Sequence, residues 1–299
     1  MQIRVELNKN LTLMYSLLNV FDQAVGDPET QPLRLKVKYH FKGYKGRKPD
    51  AKDYVHEHKL VIWALTVGEP PEFIPKKIDL DPELDWHIEK GASIKPCLVE
   101  FYNTTDFEKF YSSIKPELNK YKKAVETILK DIDVNKLLMD TWGLEHDTKM
   151  IVIPNPFTWG SFGPQIGDIN YQVIGLLGEE DRDSILRTII HEGSHPLANF
   201  ILKSYREKIR EKSSLLKVVM KHPKYPSDYN SWETCFEEHL IRAVQLGKIN
   251  PKLFKTYDVL KELEKQENNR GMVLIKTFYD ELMNSDSVGE AIPRIISKL

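Results

Sequence analysis

The chain has 299 residues, 41% of them hydrophobic and 29% charged, and its formal net charge at pH 7 is −1. This composition is typical of a globular protein that can bury a sizeable core. Because 43 basic side chains balance 44 acidic ones, the chain lacks the positive field by which proteins bind nucleic acid.

The sequence lacks the features of an exported protein and of a membrane protein. Its two cysteines, Cys97 and Cys235, make no disulfide framework. No apolar run approaches the roughly 20 residues of a membrane helix, and the first residues lack the apolar core of a signal peptide. We therefore expect a cytoplasmic protein that binds neither nucleic acid nor a membrane.

Residues 1–145 mix helical and strand patterns and predict a mixed α/β region. Alternation of polar and apolar residues predicts a strand in IRVEL and a strand or extended segment in LRLKVKYHF. Apolar residues at helical spacing predict helices over NLTLMYSLLNVFDQAV, DAKDYVHEHKLVIWALTV, DFEKFYSSI and PELNKYKKAVETILKDI. Pro116 suits the first position of the last of these helices.

Residues 146–299 predict two strands followed by helices. The strands are KMIVIP and NYQVIGLL, separated by the Gly- and Pro-containing loop NPFTWGSFGPQIG. Asp183 or Ser184 is then expected to cap the next helix. We therefore predict an α+β, mainly α fold, either with regions 1–145 and 146–299 or as one continuous domain.

That helix carries His191-Glu192-Gly193-Ser194-His195, an H-E-x-x-H motif. Histidines four residues apart lie one turn apart on the same face of a helix, so both imidazoles can reach one zinc ion at about 2.0–2.1 Å. The glutamate between them is placed to take a proton from a water molecule on the ion.

The helix phase supports this interpretation. At about 100° per residue, Ser184 and Thr188 share a face with the two histidines, and an apolar set lies opposite. That set is Ile185, Leu186, Ile189 and Ile190. Pro196 removes a backbone donor and disfavours helical geometry at His195, so we predict that the helix kinks or ends there.

A catalytic zinc site requires a third protein ligand. Candidates lie in a predicted helix over SWETCFEEHLIRAV, which offers Glu233, Cys235, Glu237, Glu238 and His239. Periodicity places Glu238 opposite the main apolar face of this helix and aligns Glu237 with Ile241 and Val244, so it does not select one of them.

With its H-E-x-x-H motif and a later glutamate-bearing helix, the chain resembles the gluzincins, zinc peptidases whose third ligand is such a glutamate. Glu238-His239-Leu240-Ile241-Arg242-Ala243 is also similar to a segment of an uncharacterised archaeal and bacterial family of predicted zincin-like proteins. The resemblance implies a zincin-like core, with a short sheet, an active-site helix and a helical C-terminal half. It implies Zn²⁺ held by His191, His195 and Glu238, Glu192 as general base, and a peptide or protein substrate, with Glu237 as the alternative ligand.

Other residues are candidates for supporting roles. Arg242, one turn beyond Glu238, either orients that carboxylate or forms an ordinary ion pair with it on the helix surface. Tyr229, His239, Tyr225 and His222 are candidate proton donors to the oxyanion of the reaction.

The resemblance to zincins implies that the loop and strand over residues 155–177 lie along the cleft. An exposed strand edge there would pair with an extended peptide. The aromatic residues of this segment either line a pocket or cap the core; they are Trp159, Phe162 and Tyr171. Two alternatives to a peptidase stay open, a zinc amidohydrolase with another substrate and a non-catalytic zinc-binding protein of zincin fold.

Overall fold

The computed structural model describes residues 3–24, 26, 31–50, 57–78, 82–145, 149–176, 181–226 and 229–299. In these ranges the protein has a small sheet and many helices. The predicted class, α+β and mainly α, is therefore confirmed. None of the helices described is both long and apolar enough to cross a membrane.

The sheet has four strands in the order β1-β2-β4-β3. They are β1 (Arg4–Val5), β2 (Lys149–Asn155), β3 (Gln165–Ile166) and β4 (Ile169–Gly175). β1, β2 and β4 run parallel, with Ile153 opposite Val173, and β3 pairs antiparallel with β4. The strands predicted in IRVEL, KMIVIP and NYQVIGLL are confirmed, and Ile151, Ile153 and Val173 of β2 and β4 lie in the core.

The chain forms two compact units, Met1–Ile132 with Thr148–Glu192, and Asp133–Asp147 with Gly193–Leu299. The predicted division into regions 1–145 and 146–299 stays a prediction about the sequence. Within the described residues, the first unit contains the sheet and six α-helices. They are α1 (Lys9–Val20), α2 (Pro32–His40), α3 (Glu57–Thr66), α4 (Pro82–Gly91), α5 (Lys95–Thr104) and α6 (Phe107–Leu129).

The segment LRLKVKYHF forms helix α2, so the predicted strand is wrong. The Gln31 side chain accepts a hydrogen bond from the Leu33 N–H and caps the helix. Leu33, Val37 and Phe41, each four residues from the next, are all buried. Tertiary packing of this face outweighs the alternating pattern.

Pro116 lies inside the single helix α6, not at the first position of a separate helix as predicted. Ile114 and Leu118, one turn apart on either side of it, are both buried. A proline within a helix costs about 3 kcal/mol, and burial of this continuous apolar face offsets that cost. Helices α4 and α5, and the helix over Val134–Trp142, were not predicted.

The second unit is helical in the part that the structure describes. Helix α8 (Arg182–Leu202) belongs partly to each unit. The other helices of the second unit are α7 (Val134–Trp142), α9 (Arg206–Arg210), α10 (Leu216–Val219), α11 (Trp232–Val244), α12 (Asn250–Leu253), α13 (Val259–Arg270), α14 (Ile275–Met283) and α15 (Val288–Lys298). The unit border between Glu192 and Gly193 falls within α8.

Candidate metal site

Helix α8 carries the H-E-x-x-H motif and is called the motif helix below. The Asp181 carboxylate accepts a hydrogen bond from the Ser184 N–H at 2.7 Å, so Asp181 caps the helix in place of the predicted Asp183 or Ser184. The predicted helix phase is confirmed. His191 and His195 are half-buried on the more open face, and the four isoleucine and leucine residues of the opposite face are buried.

Pro196 does not end the motif helix, which continues to Leu202. The prediction of an end after His195 is therefore wrong, while the predicted kink stays a prediction. Leu197, Ala198 and Leu202 are buried beyond the proline. Their packing maintains the helix although Pro196 removes one backbone donor.

Helix α11 carries the candidate third ligands and is called the glutamate helix below. The Ser231 hydroxyl accepts a hydrogen bond from the Thr234 N–H at 3.1 Å, which caps the helix. Phe236 and Leu240 are buried on its apolar face, as their spacing predicts. Glu238 is only 6% exposed on the other side, so the helix is covered on both faces.

The structure brings His191, His195 and Glu238 together. Each residue offers one ligand atom, and these atoms all lie within 4.8 Å of one another. His195 Nε2 is 3.6 Å from Glu238 Oε1, close to the roughly 3.4 Å that separates two ligand atoms of a tetrahedral zinc ion with 2.0–2.1 Å bonds. Two imidazoles and a carboxylate are ligands that suit zinc.

Glu237 contacts the second ring nitrogen of His195, Nδ1. Its Oε1 lies 2.7 Å from His195 Nδ1, and the Asn199 Nδ2 group donates to the same oxygen at 3.1 Å. Because a carboxylate only accepts hydrogen bonds, this contact holds the proton on Nδ1. The Nε2 lone pair then faces the Glu238 side, as a metal-binding histidine requires.

Glu238 is held in turn by Arg242, one turn further along the glutamate helix. Arg242 Nη2 lies 3.1 Å from Glu238 Oε2 and donates to the Tyr229 hydroxyl at 3.1 Å. Burial, with the nearby Glu238 charge, raises the pKa of Tyr229 well above its ordinary value. Arg242 is therefore placed to orient Glu238, and Tyr229 is neutral at physiological pH.

His239 lies in the interior of the second unit. It is fully buried, its Nδ1 lies 2.7 Å from the Cys235 carbonyl oxygen, and its ring packs against Phe278. Burial lowers the pKa of His239 to about 4, so the ring is neutral. The structure does not bring His239 into the group formed by His191, His195 and Glu238.

The remaining candidates are engaged elsewhere in the second unit. Glu233 pairs with Arg210 at 2.8 Å on the surface, and Cys235 is buried. The Tyr225 hydroxyl donates to the Tyr229 carbonyl oxygen at 2.9 Å. His222 Nδ1 accepts from the Lys224 N–H at 3.2 Å.

Residues 161–164 of the first unit, called the edge segment below, contain a close approach to the motif helix at Gly163. A Cβ atom on Gly163 would be 2.0 Å from the Glu192 carbonyl oxygen, so only glycine fits there. Phe162 exchanges two backbone hydrogen bonds of 2.9 Å with Val173 of β4. In antiparallel pairing the next residue points its N–H and C=O to the opposite side, so those of Gly163 face away from the sheet.

The edge segment takes the place expected for an exposed edge of β4, because Tyr171 and Val173 are already paired with Pro164 and Phe162. Phe162 and Tyr171 are partly buried against the core. Trp159 is 44% exposed. Sequence reasoning missed the contact between Gly163 and Glu192, for which the only signal was a glycine in the loop.

The loop that leads to the edge segment is fixed from within the first unit. The Thr158 hydroxyl donates to the buried Glu57 carboxylate at 3.3 Å and accepts from the Gly160 N–H at 3.1 Å. The Ser161 hydroxyl accepts from the Gly175 N–H at 3.0 Å. These bonds hold the edge segment against Glu192.

A family model described as a domain of unknown function, DUF4932, matches residues 75–288. The chain belongs to the DUF4932 family. No curated protein matches it, and no solved structure matches it either. In this DUF4932 protein the matched range contains the edge segment, the motif helix and the glutamate helix. The family description assigns no activity, so a functional proposal rests on the residues of the site.

Proposed function

We propose that this DUF4932 protein is a zinc-dependent hydrolase of gluzincin type that cleaves peptide bonds. The observation that carries the proposal is the group of His191, His195 and Glu238, whose ligand atoms lie within 4.8 Å of one another. We also propose that the small sheet and the motif helix form a zincin-like core.

His191, His195 and Glu238 would hold the ion, and three protein ligands leave one position for water or substrate. When bound, zinc would lower the pKa of water and polarise the carbonyl group of the substrate. Structural zinc sites, in contrast, have four protein ligands. Among the described residues the group has three members, which favours a catalytic role.

Glu192 is the proposed general base. It is 8% exposed and lies one residue after His191 on the motif helix. A carboxylate in this position takes a proton from the attacking water and passes it to the leaving amine. The contact between Gly163 and the Glu192 backbone supports this role, because it fixes the main chain from which the carboxylate extends.

The edge segment favours an extended peptide as substrate over a small amide. The N–H and C=O groups of Gly163 face away from β4 beside Glu192. An extended peptide pairs with such groups as an added strand, whereas a small amide has no second peptide unit to do so. The proposed substrate is therefore a peptide or an unfolded segment of a protein.

The proposal predicts one tightly bound zinc per chain and hydrolysis that depends on it. Metal analysis of the purified protein measures the stoichiometry. A library of internally quenched peptides, assayed beside small amides, measures hydrolysis before and after chelation and after return of zinc. Absence of stoichiometric zinc would overturn the proposal. Zinc without any hydrolysis would favour the non-catalytic alternative, and cleavage of small amides alone would favour the amidohydrolase.

Glu237 supports the site through His195, so its replacement by glutamine is expected to weaken zinc binding by about 10- to 100-fold. The amide is neutral and less able to fix the proton on Nδ1 of His195. Zinc affinity is measured by competition with a chromophoric chelator. Glu233→Gln is the matched control, because Glu233 lies on the same helix and pairs with Arg210. Unchanged zinc affinity in Glu237→Gln would contradict this role.

A further inference from the structure

Arg270 is the last residue of helix α13, in the second unit. Its side chain is exposed to solvent. Among the described residues it forms neither a hydrogen bond nor an ion pair. An arginine that is accessible and unpaired in this way can offer its five N–H donors to a ligand.

The next residue, Gly271, packs against the backbone of Tyr225. Gly271 has a φ of 66°, and a Cβ atom there would lie 2.7 Å from the Tyr225 backbone nitrogen. The Tyr225 hydroxyl bonds to the Tyr229 carbonyl oxygen, and the Tyr229 hydroxyl accepts from Arg242. The end of α13 therefore lies against the loop whose tyrosine contacts the Arg242–Glu238 pair.

Electrostatics agree with this placement. Burial among neighbouring atoms and the positive charge of Arg242 lower the pKa of Arg270, while Tyr229, Glu238 and Glu262 raise it. The guanidinium of Arg270 is therefore within electrostatic range of Glu238 and Arg242. A guanidinium that neighbouring atoms partly shield from water binds anions more strongly than a fully solvated one, because water screens its charge less.

We propose that Arg270 binds a carboxylate group of the substrate on the Glu238 side of the site. This inference rests on the proposed zinc hydrolase and adds the substrate class, namely peptides with a negative charge near the scissile bond. Arginine suits the task because its planar fork matches the two oxygens of a carboxylate. The carboxylate belongs either to the C-terminus of the peptide or to an aspartate or glutamate side chain.

Arginine in the last turn of a helix also stabilises the helix dipole. A purely structural role of this kind predicts a lower melting temperature on substitution and no effect on ligand preference. The test must therefore measure preference between charged and neutral ligands, and not binding alone.

The test uses the zinc-loaded protein and three pairs of hydroxamates, built on malonyl, succinyl and glutaryl chains. One member of each pair ends in a carboxylate and the other in a carboxamide. Calorimetry measures both dissociation constants. We expect the carboxylate member of at least one pair to bind about 10- to 100-fold more tightly, the usual range for a hydrogen bond between charged groups. Arg270→Gln should bring that ratio close to one.

Lys265→Gln is the matched control, since Lys265 lies on the same helix and pairs with Glu262. If the hydroxamates bind wild-type protein without preference for a carboxylate, or if Arg270→Gln keeps the preference, the inference is overturned while the zinc site stands. If no hydroxamate binds the metal-loaded protein, the proposed function itself fails.

A second set of ligands identifies the source of the carboxylate. It consists of peptides with a free or an amidated C-terminus, and with glutamate or glutamine beside it.

Discussion

Replacement of Glu192 by glutamine is expected to reduce hydrolysis by about 100- to 10,000-fold, the usual contribution of a general base. Glutamine has the shape of glutamate but cannot take the proton from water. Zinc should stay bound, because Glu192 is not a member of the ligand group. Steady-state rates on a cleaved peptide, normalised to zinc content, measure the effect.

Two controls keep this result specific. The zinc content and the melting temperature of the variant show whether the motif helix is intact. Glu233→Gln, on the surface of the glutamate helix, shows the effect of removing a carboxylate elsewhere. Full activity in Glu192→Gln with zinc bound would show that another group is the base and would refute the proposed mechanism.

The two helices that carry the site could be predicted from the sequence because their signals are local. Buried isoleucine and leucine residues at helical spacing define the inner face of the motif helix. Ser231 caps the glutamate helix, and Phe236 and Leu240 define its apolar face. In both helices the buried residues recur at helical spacing within one element, and this spacing can be read directly from the sequence.

Features that depend on packing between elements could not be predicted in this way. Helix α2 alternates polar and apolar residues, yet Leu33 and Val37 bury a helical face. Pro116 and Pro196 lie within helices because buried neighbours compensate for a lost hydrogen bond. A propensity rule does not include the energy of contacts with distant residues.

The choice between Glu237 and Glu238 is the same kind of problem at the site. Periodicity gives only the direction of each side chain around the helix axis, about 100° apart. The structure adds their partners. Glu237 contacts His195 Nδ1, and Glu238 faces His195 Nε2. Two consecutive carboxylates therefore approach the two nitrogens of one imidazole, and sequence reasoning has no means of distinguishing these nitrogens.

Replacement of Glu238 by glutamine is the strongest test of this assignment, and we expect zinc affinity to fall by more than the roughly 10- to 100-fold effect of Glu237→Gln. The variant loses a negatively charged ligand, whereas Glu237→Gln loses only its support. Zinc titration against a chromophoric chelator measures both variants under the same conditions.

Glu238 is buried and paired with Arg242, and breaking a buried ion pair costs about 3–5 kcal/mol. Glutamine limits this cost because it can still accept a bond from the guanidinium, and circular dichroism shows whether the variant is folded. Glu238→Asp, which keeps the charge on a shorter side chain, should lose less zinc affinity than Glu238→Gln if Glu238 is the ligand. The opposite order, with Glu237→Gln losing zinc and Glu238→Gln keeping it, would mean that the two glutamates exchange roles and that Glu237 is the third ligand.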